Sequence, residues 1–304
     1  MKTMYSIITS PNNPRVKSAA QLRESRVRRR EGRFLVDGLR EVSRAWRSGF
    51  EFVELYWNAE DAVREGDRVD LDATFARPEA VGRRAELRDF LKEVDRSSVP
   101  LIPLAKSAFD KLRFGERDEG VVALVKEKFW SLDALEENLS RASNDENALI
   151  AIIEGVEKPG NVGAILRSAD GAGVNALIIA AKEYDAFNPN AIRGSLGAIF
   201  NVPIVVAQAE ETIAWLRRLK FQRATALCDK AVSYAQLDYK RPTAIIVGSE
   251  AEGLTTVWAE ESPEDAKFDL LKKVRLPMLG VADSLNVSNA AAVLFYEARR
   301  ARSF

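Results

Sequence analysis

Histidine is absent from this chain, and cysteine occurs once, at Cys228. The first absence removes the one side chain whose unperturbed pKa lies near neutrality, so no Ser-His or Cys-His nucleophile pair can be assembled. A zinc site of the usual Cys/His type and an internal disulfide are excluded with it, and no metal is expected. Cys228 closes the strand-like run Ala-Thr-Ala-Leu-Cys and reads as a small buried hydrophobe. That setting argues against chemistry in which a cysteine attacks a base, such as C5 methylation of cytosine. Long uncharged apolar runs are also missing, and the opening Met-Lys-Thr-Met-Tyr-Ser-Ile-Ile-Thr has no small-residue cleavage pattern. No membrane anchor or secretion signal is expected, which points to a cytoplasmic protein. Gly-x-Gly-x-x-Gly does not follow the first strand of the C-terminal half, and Gly-Lys-Ser/Thr occurs nowhere, so neither a dinucleotide fingerprint nor a phosphate loop is present.

Net charge is missing too, with 45 basic against 45 acidic residues, but the two signs are unevenly spread. Residues 1–47 hold 12 Lys or Arg against 4 Asp or Glu. The helix expected from Pro14 to about Arg30 ends in Arg26, Arg28, Arg29 and Arg30, a cluster that covers too many faces for simple i,i+4 pairing. It reads either as a solvated basic helix or as a polyanion-binding arm.

At 304 residues, 46% hydrophobic and 30% charged, the chain suits two globular domains. Residues 1–126 alternate strands (33–37, 52–57, 100–103, 120–125) with helices (39–47, 86–95, 106–112), giving a compact α/β domain. Residues 127–147 hold one polar helix and a Ser/Asn/Asp-rich run, and read as a linker. In residues 148–304, apolar strands (148–153, 176–181, 202–206, 224–228, 244–247, 274–276) are separated by helices (162–172, 191–199, 211–219). Strands apolar throughout imply a parallel sheet covered on both faces.

Three stretches of this second domain carry concentrated polar and glycine chemistry. The first, after strand 148–153, contains Asn161-x-Gly163-x-x-x-Arg167. The second, after strand 244–247, is Gly248-x-Glu250-x-x-Gly253-Leu254. The last is Leu276-Pro277-Met278 followed by Ser284-Leu285-Asn286-Val287-Ser288, in front of a helix whose apolar face carries Val287, Ala291, Leu294, Phe295 and Ala298. Three hydrogen-bonding side chains at a helix start are either one N-cap with spare neighbours or a ligand loop. Gly248 and Gly253 are either turn formers or places of close backbone approach. Leu276, Met278, Leu279 and Leu285 offer an apolar cradle. The acidic stretch 257–268 between the second and third motifs is expected to be a surface insertion.

In this order the three stretches resemble the motifs of the SpoU (TrmH) family of RNA ribose 2′-O-methyltransferases, within the SPOUT class. Phe34-Leu-Val-Asp-Gly-Leu-Arg-Glu-Val42 and Asp118-Glu-Gly-Val-Val122 are similar, more loosely, to the ribosomal-protein-like substrate-binding domain that precedes the methyltransferase domain in many relatives. The resemblance implies a C-terminal trefoil knot, S-adenosylmethionine as cofactor, an RNA substrate and a homodimer formed through the knotted domain, for which Ala290, Ala291, Ala292 and Ala298 offer a small-residue face. It implies cofactor contacts at Gly248, Leu276, Met278, Leu285 and Asn286, and catalytic roles for Asn161, Arg167, Glu250, Ser284 and Asn286. Arg193-Gly-Ser-Leu-Gly-Ala198 resembles a further family segment, expected at a helix start suited to a phosphate. Arg193 and Ser195 therefore join Arg26, Arg28, Arg29 and Arg30 as RNA-binding candidates. The ribosomal-protein-like domain makes ribosomal RNA the first expectation and transfer RNA the second. A catalytically silent RNA-binding protein is the alternative, and intact Asn161, Arg167 and Asn286 favour the enzyme.

Overall fold

A computed structural model describes residues 4–76, 82–115, 119–141, 147–227, 231–249 and 252–302. The chain forms two compact units, Met1–Glu127 with Phe187–Ile192, and Lys128–Ala186 with Arg193–Phe304.

The first unit is built on a four-stranded sheet in the order Arg33–Asp37, Val121–Lys126, Phe52–Asn58, Leu101–Leu104. Its first two pairings are antiparallel and its last is parallel. Val121–Lys126 is buried along nearly its whole length, as an all-apolar inner strand should be, whereas Leu101–Leu104 carries Pro103 and lies at the edge. Val16, Ala19, Leu22 and Val27 pack with Leu35, Tyr56, Val122 and Leu124 to form the core. The Phe187 ring stacks on Phe34 with centroids 4.4 Å apart.

The single basic helix expected from residue 14 to about 30 is two helices, Pro14–Gln21 and Ser25–Glu31. The break needs donors for the carbonyls that end the first helix, and Arg28 supplies them. Its Nη1 donates to the carbonyls of Leu22 and Arg23, each at 2.7 Å, from a side chain only 1% exposed. Arg28 therefore belongs to the fold and leaves the RNA-binding set, while Arg26, Arg29 and Arg30 remain exposed.

The second unit holds a seven-stranded sheet in the order Ile204–Ala207, Ala176–Ala180, Leu149–Glu154, Thr243–Val247, Gln222–Ala226, Leu271–Arg275, Val232–Ser233. Every pairing in it is parallel. One face, through Ile150, Ile152, Ile178, Ala244 and Ile246, packs against Ile213, Trp215, Leu216 and Trp258. The final helix, Val287–Ala301, packs on Pro159–Gly171 and on the strand Thr243–Val247. Arg302 pins the end of this helix by donating to the carbonyls of Tyr239 (2.7 Å), Arg241 (2.9 Å) and Ala148 (3.2 Å). Burial, with repulsion from Arg299, lowers its guanidinium to about 10, so it stays charged at neutral pH.

Two expectations fail here. The stretch 127–147 is not a free linker: Trp130 bridges to Val205, and the helix Leu132–Arg141 buries Leu132, Leu135 and Leu139 in the core of the second unit. Each buried leucine contributes about 1.5–3 kcal/mol, which outweighs the polar character of the rest of the helix. Residues 142–146 lie outside the described set. Nor is 257–268 a surface insertion. Trp258 and Asp265 are both fully buried. Asp265 closes a capping box with Ser262 at the start of the helix Pro263–Phe268 and takes ion pairs from Arg217 and Arg223, both Nη2 to Oδ2, at 2.8 and 2.7 Å.

Candidate functional site

Ligands of open α/β sheets sit beyond the carboxyl ends of the strands. In the second unit a cavity of about 490 Å³ opens there, where the chain leaves three neighbouring strands at Ala226–Leu227, Val247–Gly248 and Val274–Leu276. Its apolar lining includes Leu276, Met278, Leu285, Val287 and Leu294, and its polar lining Ser249, Glu252, Arg275, Asp283 and Ser284. That volume lies in the range of about 300–1,000 Å³ usual for small-molecule sites.

One wall is the loop after Thr243–Val247. Ser249 N–H donates to the Gly253 carbonyl at 3.1 Å and Gly253 N–H to the Ser249 carbonyl at 3.0 Å, folding the loop back on itself. A Cβ on Gly248 would collide with the Gly253 carbonyl and the Leu254 nitrogen, and Gly253 has φ +68°. Both glycines are thus required by this closed loop. Glu250 lies outside the described residues.

The second wall is the stretch from Leu276 to Asn286. Asn286 caps the final helix by accepting from Ser288 N–H at 3.1 Å and Ser288 Oγ at 2.6 Å. Its Nδ2 donates to Asn161 Oδ1 at 3.2 Å, joining residues 125 apart in the chain. The polar cluster is therefore both an N-cap and a link to the first motif. Asn161 stands near the start of the helix Pro159–Gly171, which Pro159 initiates without the loss of a helical N–H. Before that helix, Tyr184 O–H donates to the Val156 carbonyl at 2.7 Å. Burial, then the charges of Asp185 and Glu157, raise this phenol to about 12, which keeps it a donor.

Of the ligand-loop residues singled out from sequence, Gly248, Gly253, Leu276, Met278, Ser284 and Leu285 line the cavity, and Asn161 and Asn286 meet beside it. Arg167 is exposed on the Pro159–Gly171 helix and is not among the lining residues. Leu279 is not part of the cradle, being 98% exposed. The helix expected over 191–199 breaks: Pro189–Gly194 ends, Leu196 takes φ +54°, and a 3-10 turn follows at Ala198–Phe200. Arg193 is therefore at a helix C-terminus, not at a phosphate-binding start. Ser195 is fully buried with its Oγ accepting from the N–H groups of Gly197 (3.2 Å) and Ile199 (3.4 Å), which removes it from the RNA-binding set. Sequence reasoning missed Ser249, Glu252, Arg275 and Asp283 of the lining. Their one signal was proximity to the motif glycines and to Pro277.

The fold and the site can be set beside known proteins. Residues 148–296 match the SpoU rRNA Methylase family, and residues 13–123 match the MRM3-like substrate binding domain. The 23S rRNA (guanosine-2′-O-)-methyltransferase RlmB of Bordetella pertussis is 33% identical over 225 residues, 74% of this chain and 87% of that protein. The chain belongs to the SpoU family. A crystal structure of an RNA 2′-O ribose methyltransferase resembles this SpoU chain with TM-score 0.69 and 30% identity over 97% of it and 99% of the solved chain. The SpoU methyltransferase AviRb from Streptomyces viridochromogenes, solved in complex with the cofactor AdoMet, gives TM-score 0.72 and 26% identity over 95% and 99%. All three SpoU motifs fall inside the matched span 148–296.

Proposed function

We propose that this chain transfers a methyl group from S-adenosylmethionine to the 2′-hydroxyl of a ribose in structured RNA, with ribosomal RNA favoured over transfer RNA. The observation that carries this reading is the cavity itself, in which Gly248, Leu276, Met278, Ser284 and Leu285 come together next to the Asn161–Asn286 bond. Its donor set fits the cofactor: an apolar slot for an adenine, backbone polar groups at a glycine loop, and carboxylates for hydroxyl or ammonium groups. Gly248, Leu276 and Leu285 would hold it, with Met278 against the ring. When bound, S-adenosylmethionine supplies an electrophilic methyl on a sulfonium. The relatives named above include a 23S rRNA 2′-O-methyltransferase and a protein solved with AdoMet.

The protein's own task is to hold the ribose oxygen in line and to dispose of its proton. Asn161 and Asn286 orient the ribose, and Ser284 lines the cavity beside them. Arg167 acts on the substrate as a charged clamp. A guanidinium is a poor base at neutral pH, whereas its planar fork grips a phosphate and stabilises a developing alkoxide. The first unit captures RNA through Arg26, Arg29 and Arg30. The second unit carries a trefoil knot, a reading supported by the strand Thr243–Val247 lying between Leu149–Glu154 and Gln222–Ala226 and by the final helix returning onto Pro159–Gly171. We place the enzyme in the cytoplasm as a homodimer; no described helix is long and apolar enough to cross a membrane.

Calorimetric titration with S-adenosylmethionine, followed by mapping of 2′-O-methylated nucleotides in ribosomal RNA incubated with the protein, tests the function. One cofactor bound per chain and one or a few modified riboses are expected. Absence of cofactor binding would sink the enzyme reading.

A further inference from the structure

We propose that Glu154 is a positioning residue, the strut that holds residues 248–249 and 252–254 of the cofactor loop in their binding form; the inference rests on the cofactor assignment above. Glu154 ends the strand Leu149–Glu154 and is not among the residues lining the cavity. Its carboxylate accepts twice from Thr255, the first residue after the loop: from the N–H at 2.7 Å and from Oγ1 at 3.0 Å, across 101 positions of sequence.

Among the described residues, the loop's internal bonds, Ser249 with Gly253 and Glu252 N–H to Ser249 Oγ at 3.0 Å, tie its two ends to each other and not to the neighbouring strand. Glu154 makes that attachment from the neighbouring strand, which pairs in parallel with Thr243–Val247. Gly155 seats the loop a second time, because a Cβ there would stand 3.3 Å from Ser249 Cβ. The chain then runs from Glu154 to the helix bearing Asn161. One strand end therefore sets both the cofactor loop and the helix that meets the substrate. An ionised acceptor makes the stronger class of hydrogen bond, and two of them on one threonine fix the direction of the loop's exit as well as its distance.

The test is calorimetric titration of the full chain with S-adenosylmethionine, with RNA binding, thermal melting and steady-state kinetics in parallel. Glu154→Ala should weaken cofactor binding by about tenfold to a hundredfold, from the loss of two hydrogen bonds to a charged acceptor. RNA affinity should stay within about twofold, and the cofactor KM should rise more than kcat falls. Glu154→Gln keeps an oxygen for the Thr255 N–H and an amide that can donate to Oγ1, so it should recover cofactor affinity to within about fivefold of wild type. Should Glu154→Ala fail to fold, the exposed Thr255 carries the test. Thr255→Val loses the hydroxyl bond alone and should cost about fivefold in cofactor affinity, which Thr255→Ser restores. Cofactor affinity within twofold of wild type in Glu154→Ala, or in Thr255→Val where that variant stands in, would overturn the role. So would a parallel loss of RNA affinity and cofactor affinity in Glu154→Ala with no effect of Thr255→Val. A wild-type chain that binds no S-adenosylmethionine overturns the function itself and this role with it.

Discussion

Arg167 shares the exposed stripe of its helix with Gly160 and Gly171, while Val162, Gly163, Ile165, Leu166 and Ala169 face inward. That stripe follows from the 3.6-residue period and leaves the guanidinium free to meet a substrate rather than the core. The clamp role proposed for it predicts that Arg167→Ala lowers turnover by at least about a hundredfold, the scale of a lost oxyanion-type donor, with cofactor affinity nearly intact. Arg167→Lys should remain inactive from pH 6 to 10, because an ammonium cannot reproduce the planar fork. A rate restored by lysine and rising with pH would assign Arg167 the base role instead. Arg28 shows the opposite fate for the same side chain. Nothing in Arg-x-Arg-Arg-Arg distinguishes it locally; its burial is decided by the carbonyls of Leu22 and Arg23, left open when the first helix stops.

At the scale of elements, the two basic helices and the acidic segment each make a separable prediction. Replacing Arg26, Arg29 and Arg30 with Gln should weaken RNA binding and flatten its log–log salt slope by roughly 0.7–0.9 for each phosphate left without its arginine. Arg28→Gln should leave that slope unchanged and lower stability instead, by about 1–3 kcal/mol, since buried carbonyls lose their donor. The same slope in the triple variant as in wild type would refute the arm's role. In the acidic segment, burial pushes the Asp265 carboxyl up, but hydrogen bonds from Arg217 and Ser262 and the charge of Arg223 outweigh it and bring it down to about 2. A carboxylate held below its ordinary value stabilises the fold above that value, and the contribution fades as pH falls from about 4 to about 2. Asp265→Asn should therefore cost about 3–5 kcal/mol at pH 7, because Arg223 stays buried without a counter-charge. Urea unfolding at pH 7 and at pH 2.5 checks this, and the difference from wild type should shrink at the lower pH.

For the whole molecule, the proposed homodimer requires an exposed apolar surface on the second unit. Of the small residues expected to serve, Ala291 and Ala298 are fully buried in the chain's own core, Ala290 lines the cavity and only Ala292 is left half-buried. The exposed apolar groups of the final helix are Val293 and Tyr296, one turn apart, and the loop before it carries Leu279 and Val281, the latter fully exposed. Pairing is therefore expected through these four residues. Val293→Glu with Tyr296→Glu should convert a species of twice 33.8 kDa into one of 33.8 kDa in sedimentation at micromolar concentration. A wild-type monomer under those conditions would remove the dimer.

Read residue by residue, the chain already specified the inner strands, the order of its three motif loops and six of the loop residues that line the cavity. Those features follow from local rules: continuous apolar runs make two-sided strands, and Gly or Pro marks the turns that end them. Charge and exposure followed a different rule. Asp265 is acceptable inside only because Arg217, 48 residues away, and Arg223 arrive beside it. Leu132, Leu135 and Leu139 form a core stripe only because a sheet face is there to receive them. Glu154 becomes a strut only when Thr255 is delivered 101 positions later. The cost of burying a charge, and the gain from burying a leucine, depend on neighbours supplied by the tertiary structure, so these assignments were decided there and not by the local sequence.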